Sequence, residues 1–311
     1  MNGDTRATAI VIASVSVFLV TLVLPVYMFI TKLFFNKSQF KKHTAFWIMA
    51  HIGIIDCMFM IAIVEACIMT FSQSIVMPLL FETCSAVHIV YEWVLHFLEL
   101  ILALNRVVMI LNLRIKFADL FFKMLAVLVW ICAFAIVYLF SRYNLEMSYI
   151  FDDNAFTINL INTTLSGKQI HSVYYYSDFS AIIASFFCYL IIIVAIIFEK
   201  CRFQSVVKID SHEMRILFQG LVTFVPGTSY WILNMIANWN FTQAPPAVNI
   251  AFTILPRLVP VFNMCGYLVL NRYVRDSVKN AILRMFGKKV ATVTPITLVS
   301  EAVSSSISRN T

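Results

Sequence analysis

Long apolar runs separated by short polar segments organise the whole chain. The runs cover residues 7–31, 44–70, 85–111, 121–140, 179–198, 216–237 and 248–270. About 20 apolar residues cross the hydrocarbon core of a bilayer as a helix, so each run is long enough for one transmembrane span. The runs do not alternate between polar and apolar positions, which argues against a membrane β-barrel with a polar lumen. The pattern therefore predicts an all-α membrane protein, a bundle of seven transmembrane helices.

The composition supports the same class of protein. Hydrophobic residues make up 61% of the 311 residues, charged residues make up 13%, and the mean hydropathy is +0.86. A soluble domain carries more charge, and a disordered chain has low hydrophobicity. We expect one membrane domain over residues 1–290 and a disordered tail rich in Ser and Thr over residues 291–311. The tail is either a phosphorylated regulatory segment or a solvated end.

The basic residues lie on one side of the predicted membrane. With the N-terminus outside, the cytoplasmic segments are residues 32–43, 112–120, 199–215 and 271–311. These segments hold most of the 23 Lys and Arg residues. Positive charge accumulates in cytoplasmic loops, so the asymmetry predicts an extracellular N-terminus. The glycosylation sequons at Asn162 and Asn240 then face outside, whereas the sequon at Asn36 faces the cytoplasm and should stay unmodified.

Two connecting segments have a distinct character. The longest predicted outer loop, residues 141–176, is polar and acidic, and is either a lid over the bundle mouth or a simple connector. After the last span, residues 273–286 place Val274 and Val278 on one side of a helix and basic residues such as Arg275 on the other. This pattern predicts a short amphipathic helix on the cytoplasmic leaflet.

Span three carries a stripe of ionisable residues. Its members are His88, Glu92, His96, Glu99 and Arg106. At about 100° per residue they fall within roughly 80° of arc, so they share one helical face. Ionisable side chains are costly inside a membrane and usually face the interior of a bundle. A polar interior path explains five aligned residues better than separate structural roles do, although His96 alone fits either reading equally well.

Spans two and seven add further ionisable residues. Asp56 lies near the middle of span two, and Glu65 lies about 13 Å further out by the helical rise of roughly 1.5 Å per residue. Arg257 in span seven needs an anion, and Glu92 is its expected partner, with Glu65 as the second choice. The alternative is that Arg257 extends to the outer interface of the membrane.

Enzyme signatures are missing from the chain. His212 and Glu213 begin a zinc-binding HExxH pattern, but Ile216 stands where the second histidine is required. No glycine loop for phosphate and no nucleophile elbow occurs, and the chain has only seven glycines. We therefore expect no enzymatic activity and no cofactor.

Several short motifs occur in order along the spans. They are Ile48-Met49 and Gly53-Ile54-Ile55-Asp56 in span two, Leu102-Ala103-Leu104-Asn105-Arg106 at the end of span three, and Asn263-Met264-Cys265-Gly266-Tyr267-Leu268 with Leu270-Asn271-Arg272 and Arg275 after span seven. Together they resemble the motifs of rhodopsin-like G-protein-coupled receptors. More narrowly, they resemble the nematode serpentine chemoreceptors of class T or class X.

The resemblance implies roles for individual residues. Arg106 matches the family arginine that engages the G protein, and Asn105 stands where many receptors carry an acid. Asp56 matches the span-two acid that lines a sodium pocket with the span-seven asparagine, here Asn263. Tyr267 matches the tyrosine of the span-seven motif. Coupling and activation are therefore expected to depend on Arg106, Asn105, Asn263 and Tyr267.

Other positions match the receptor pattern only in part. Trp130 resembles the span-four tryptophan, and Phe224 stands where many relatives carry a tryptophan switch. Met264 replaces the proline of the span-seven motif. The second outer loop has no cysteine, so Cys84 lacks the usual disulfide partner. Cys67 is the only other cysteine at that level, and whether the two form a bridge is left open.

The resemblance implies a plasma-membrane receptor for a small extracellular chemical. His88, Glu92, Glu65, Arg257 and Phe224 are the candidate ligand contacts. The expected partners are a heterotrimeric G protein, the ligand and the bilayer, and no nucleic acid. The alternative is a secondary transporter or channel that uses the span-three stripe as an ion path. Transporters usually show internal repeats, and no likeness between the two halves of the chain is found.

Overall fold

The structure is a computed structural model of the chain. It describes residues 3–37, 40, 43–74, 78–113, 115–142, 146–152, 155–161, 165–202, 218, 220–222, 224–229, 231–232 and 246–285. The predicted tail over residues 291–311 and the sequons at Asn162 and Asn240 lie outside these residues. Asn36 is the last residue of the first helix and is exposed.

The described part of the chain is almost entirely helical. The helices are α1 Gly3–Asn36, α2 Thr44–Ser72, α3 Pro78–Ile110, α4 Ala118–Arg142, α5 Leu165–Arg202, α6 in parts of residues 218–232, α7 Pro246–Leu270 and α8 Arg272–Met285. Each of α1 to α7 contains the matching apolar run, or part of it. The predicted order of seven helices followed by a short one is therefore confirmed.

Five of the described helices, α1 to α5, are long and apolar enough to cross a membrane. A sixth crossing is formed if the bent pair of residues 254–270 and 272–284 counts as one span, with a bend of 99° between its halves. The bend lies between α7 and α8, so α8 runs nearly perpendicular to α7. We call the end of the bundle at which α1 begins the outer end.

A β-hairpin follows α4, within the segment that the sequence analysis expected to be an outer loop, either a lid or a connector. Strand β1, Glu146–Asp152, pairs antiparallel with β2, Ala155–Ile161. The register brings Glu146 opposite Ile161 and Asp152 opposite Ala155. The alternation of polar and apolar residues that marks a strand is weak in so short a segment, so the sequence did not predict the hairpin. Pairing of the two strands satisfies their backbone hydrogen-bonding groups. The hairpin is an addition to the predicted all-helical bundle.

Helix α5 begins earlier than its apolar run predicts. The run starts at Phe179, but the helix starts at Leu165. The additional residues are mostly polar and aromatic, so a search for apolar runs does not include them. This outer extension of α5 carries Ser177 and Asp178, which contact α3.

The core of the bundle packs α1, α2 and α3 closely. Tyr27, Ile48 and Met49 are among the fully buried side chains. Gly53 of α2 lies against Thr31 of α1, so closely that a Cβ atom at Gly53 would overlap the Thr31 hydroxyl. Small residues allow membrane helices to approach in this way.

Helix α8 is amphipathic, as predicted. Val274 and Val278 are buried, whereas Arg275 and Lys279 are exposed. The Lys37 ammonium, just after α1, donates a hydrogen bond of 3.0 Å to the Tyr273 hydroxyl. The apolar side of α8 therefore docks onto the end of the bundle and leaves its basic side free for an anionic surface.

Candidate functional site

A buried polar cluster surrounds Asp56 at the centre of the bundle. The hydroxyls of Tyr27 and Tyr91 donate to the Asp56 carboxylate at 2.5 and 2.9 Å. The side-chain amide of Asn263 donates to it at 2.8 Å. The donors come from α1, α3 and α7, so one carboxylate of α2 joins four helices.

This arrangement explains how an acid is tolerated in an apolar core. Asp56 and Asn263 are both 0% exposed. A buried carboxylate is costly unless hydrogen-bond donors replace its water, and here three donors do so. The sequence analysis paired Asp56 with Asn263 correctly. It did not identify Tyr27 and Tyr91, because tyrosines in apolar runs carry no distinctive pattern.

The same geometry tests whether Asp56 and Asn263 suit a sodium ion. A carboxylate offers roughly four lone-pair sites, and three of them already accept hydrogen bonds. Asn263 directs its amide nitrogen, which cannot ligate a cation, at the carboxylate. The side-chain oxygen of Asn263 has no hydrogen-bond partner among the described residues, and one lone-pair site of Asp56 remains, so the sodium pocket stays a prediction.

A row of polar contacts joins α3 to the outer half of α5. The Tyr174 hydroxyl donates to the Ile89 carbonyl at 2.6 Å, and the Trp93 indole donates to the Ser177 hydroxyl at 3.0 Å. One turn further inward, the imidazole of His96 contacts the carboxylate of Asp178. The distance between His96 Nδ1 and Asp178 Oδ1 is 2.8 Å, and the two side chains are only 2% and 3% exposed.

The span-three stripe faces inward, as its spacing predicts. His88 and Glu92 are half-buried, whereas His96, Glu99 and Arg106 are buried. His88 lies edge-on to the ring of Phe59, 5.0 Å between centroids. Phe59 in turn stacks on Tyr91 at 3.7 Å, which connects His88 to the cluster around Asp56.

Glu99 stands out within the stripe. It is 1% exposed, and neither of its carboxylate oxygens has a hydrogen-bond partner among the described residues. Most buried polar groups in proteins are paired, so an exception requires an explanation. The ion-path hypothesis treats the stripe as continuous, but His96 is bound to Asp178 rather than to the next residue of the stripe.

Arg257 is half-buried between α1, α2 and α7. Its guanidinium donates to the Ser16 hydroxyl of α1 at 2.9 Å. It borders a narrow crevice whose other walls are mainly apolar, among them Val20 and Met60. The Ser16 contact was not predicted, and it keeps the guanidinium inside the bundle. The pairing of Arg257 with Glu92, or with Glu65 as second choice, stays a prediction.

Aromatic residues fill the space between α5 and α6. Phe224 is buried and lies 5.3 Å from the ring of Tyr189. Further out, Trp231 stacks on Phe179 at 4.7 Å and on Tyr175 at 5.2 Å. The candidate ligand contact Phe224 therefore belongs to an aromatic group at the α5–α6 side of the bundle.

The residues expected to act in coupling lie at the inner end. Asn105 and Arg106 are buried in the penultimate turn of α3. Tyr267 of α7 is buried and lies 5.9 Å from the ring of Tyr27 and 5.4 Å from that of Phe34. Tyr267 therefore packs beside the Asp56 cluster, while Arg106 is the most inward charged residue of the stripe.

Two further expectations involve α2. The Trp130 indole of α4, which resembles the span-four tryptophan, donates to His51 Nδ1 of α2 at 3.0 Å. Cys67 and Cys84 are both buried free thiols. The structure therefore has no bridge between these two cysteines.

Comparisons with known proteins identify the fold. No protein-family model matches the chain, and no curated protein sequence matches it. Among solved structures, the crystal structure of squid rhodopsin is similar, with a TM-score of 0.73 at 10% sequence identity. The match covers 92% of this chain and 89% of the rhodopsin chain. The chain therefore has the seven-helix membrane bundle of the rhodopsin fold.

Proposed function

We propose that this chain is a chemosensory G-protein-coupled receptor that binds a small extracellular chemical within its bundle and activates a heterotrimeric G protein. One observation carries the proposal: in a rhodopsin-like bundle, the inner end of α3 bears the buried Arg106 within the motif Leu104-Asn105-Arg106. The fold is one of receptors rather than enzymes, and no enzyme motif occurs in the sequence.

The narrower identity rests on sequence motifs. The motifs of spans two, three and seven resemble nematode serpentine chemoreceptors of class T or class X, which supports a receptor in the plasma membrane of a sensory cell. The basic cytoplasmic segments support an extracellular N-terminus and a cytoplasmic α8. We further propose that Asn162 and Asn240 carry glycans.

The ligand is proposed to bind in the outer half of the bundle. His88, Glu92, Glu65, Arg257 and Phe224 are the candidate contacts. A ligand activates only if it binds the active arrangement of helices more tightly than the inactive one. Half-buried ionisable groups such as Glu92 and Arg257 suit this role, because they recognise polar groups of a ligand at little further cost of burial.

Nucleotide exchange on a G protein tests the proposal against the transporter alternative. The purified chain would be placed in nanodiscs with each class of heterotrimer and screened with a chemical library, and in liposomes for ion flux. The receptor proposal expects chemical-dependent exchange of guanine nucleotide and no flux. Ion flux without exchange would support the transporter instead.

Arg106 offers a specific variant for the same assay. Arg106→Ala should abolish exchange while surface expression and ligand binding persist, because the side chain lies at the inner end, far from the proposed ligand contacts. Arg275→Ala in α8 is a matched control, since Arg275 is an exposed inner arginine whose guanidinium donates to the backbone carbonyl of Val269 at 3.0 Å. Full signalling by the Arg106 variant would exclude its coupling role.

A further inference from the structure

The buried pair of His96 and Asp178 is the innermost of the three polar contacts described above between α3 and α5. His96 belongs to α3 and Asp178 to α5, and their side chains meet at 2.8 Å with almost no exposure. Breaking a buried hydrogen-bonded pair leaves polar groups without a partner, which is strongly unfavourable. The pair therefore holds the two helices together unless another partner becomes available.

Glu99 supplies that second partner. It lies three residues after His96 on the same helical face, where side chains are neighbours with about 5–6 Å between Cβ atoms. Its carboxylate is buried, and neither oxygen accepts a hydrogen bond from any described residue. Two carboxylates thus compete for one imidazole, and only one of them is satisfied in this arrangement.

Gly227 of α6 lies beside the imidazole of His96. A Cβ atom at Gly227 would meet only His96 Nε2, at 3.6 Å, which is an ordinary van der Waals distance. Because Gly227 has no side chain, its own Cβ atom does not occupy this position beside the ring. Thr228, the next residue, has a buried hydroxyl without a hydrogen-bond partner among the described residues.

We propose that His96 is a two-position switch: bound to Asp178 it locks α3 to α5, and bound to Glu99 it releases α5. The first position is the one in this structure. In the second position, the imidazole of His96 bonds to Glu99 of the same helix, so the Glu99 carboxylate gains a hydrogen bond. Asp178 then loses its bond to His96 and requires another donor. This inference rests on the proposed receptor function, because it assigns the released state to the active receptor.

In this proposal the carboxylate of Asp178 favours the locked state and that of Glu99 favours the released state. The variants Asp178→Asn and Glu99→Gln separate these two effects. Exchange on the responding heterotrimer is measured without added chemical, on receptor in nanodiscs. Asp178→Asn should raise this basal exchange about tenfold, a shift of about 1.4 kcal/mol. Glu99→Gln alone should not raise it, and the double variant should return close to the wild-type rate.

Ser185→Ala is the matched control. Ser185 is also a buried polar residue of α5, but its hydroxyl bonds the Ala181 carbonyl of its own helix at 2.9 Å. Its loss breaks no link between helices, so the basal rate should not change. If Asp178→Asn does not fold, the exchanged pair His96→Asp with Asp178→His tests the lock instead. This exchanged variant keeps a histidine paired with an aspartate between the two helices. Because the imidazole then belongs to α5, it is no longer beside Glu99 on α3, and the basal exchange rate should stay low.

A measurement without a G protein separates failure of the switch from failure of the receptor proposal. Spin labels introduced as noncanonical amino acids at Met109 and Ile197, both exposed near the inner ends of α3 and α5, report the distance between these helices. Asp178→Asn should lengthen this distance, and adding Glu99→Gln should reverse the change.

Three results would overturn the switch. They are an unchanged label distance and basal rate in folded Asp178→Asn, a rise in both with Glu99→Gln alone, or a high rate in the exchanged pair. If no heterotrimer responds to wild type or any variant but the label distances shift as expected, the switch stands and the receptor proposal fails.

Discussion

A single acid at the centre of the bundle contributes to the packing of four helices. Asp56 receives hydrogen bonds from Tyr27, Tyr91 and Asn263, and each donor belongs to a different helix. Because water does not reach this site, removal of the carboxylate would leave three buried donors without an acceptor. The role of Asp56 in stability therefore follows directly from its contacts, whatever role it has in signalling.

Replacement of Asp56 should be severely destabilising. For Asp56→Ala we expect a loss of about 3–5 kcal/mol in the free energy of unfolding, the range found when one partner of a buried polar network is removed. Asp276→Ala is the control, because the Asp276 side chain is 40% exposed and pairs with Arg272 at 3.7 Å on the surface, so its loss should change stability by less than about 1 kcal/mol. Thermal unfolding in detergent measures both. Equal effects of the two variants would show that the cluster does not stabilise the bundle.

The predicted pairing of Arg257 with Glu92 can be tested by charge exchange. Glu92→Arg and Arg257→Glu should each impair folding or signalling, since each places like charges together in a low-dielectric region. The double variant should recover part of the loss, and the coupling energy gives the strength of the pair. A parallel cycle with Glu65 tests the second choice. If the losses are additive in both cycles, Arg257 pairs with neither carboxylate. The hydrogen bond to Ser16 is then the contact that holds the guanidinium.

At the scale of elements, helix boundaries depend on more than apolar runs. The apolar run of α5 predicts a start at Phe179, yet the helix starts at Leu165 and carries Asp178 towards α3. A sequence search for ionisable residues within spans therefore found His96 but not its partner. Asp178 lies one residue outside the run, and only the folded arrangement shows that it is buried.

The contact between α1 and α2 requires a glycine. Gly53→Ala should destabilise the bundle by about 1–3 kcal/mol, because the added methyl group overlaps Thr31 and forces the helices apart. Gly266→Ala is the matched control, since a Cβ there would lie 3.4 Å from the nearest atom, of Val222. Adding Thr31→Ala to the Gly53 variant should restore stability in thermal unfolding. Lack of rescue would point to a cause other than this overlap.

At the scale of the whole molecule, the fold could be predicted and the site only in part. Seven long apolar runs admit few arrangements in a bilayer, because every span must be helical and sequential spans pack side by side. The inward stripe of α3 follows from helical periodicity alone. Its partners do not, since whether His96 meets Asp178 or Glu99 depends on side-chain directions that periodicity leaves open.

The orientation of the whole bundle is the most general prediction from the sequence. The basic residues are concentrated in the connections that follow α1, α3 and α5 and in the segment after α7, so these ends should face the cytoplasm. Asn162 and Asn240 should then be glycosylated and Asn36 should not, although all three stand in sequons. Expression in a eukaryotic cell followed by glycosidase treatment measures this, with Asn162→Gln and Asn240→Gln as single and double variants. The double variant should lose all sensitivity to the enzyme, and Asn36→Gln should change nothing. A glycan mapped to Asn36 would reverse the orientation, and would remove Arg106 from the side of the membrane where a G protein could reach it.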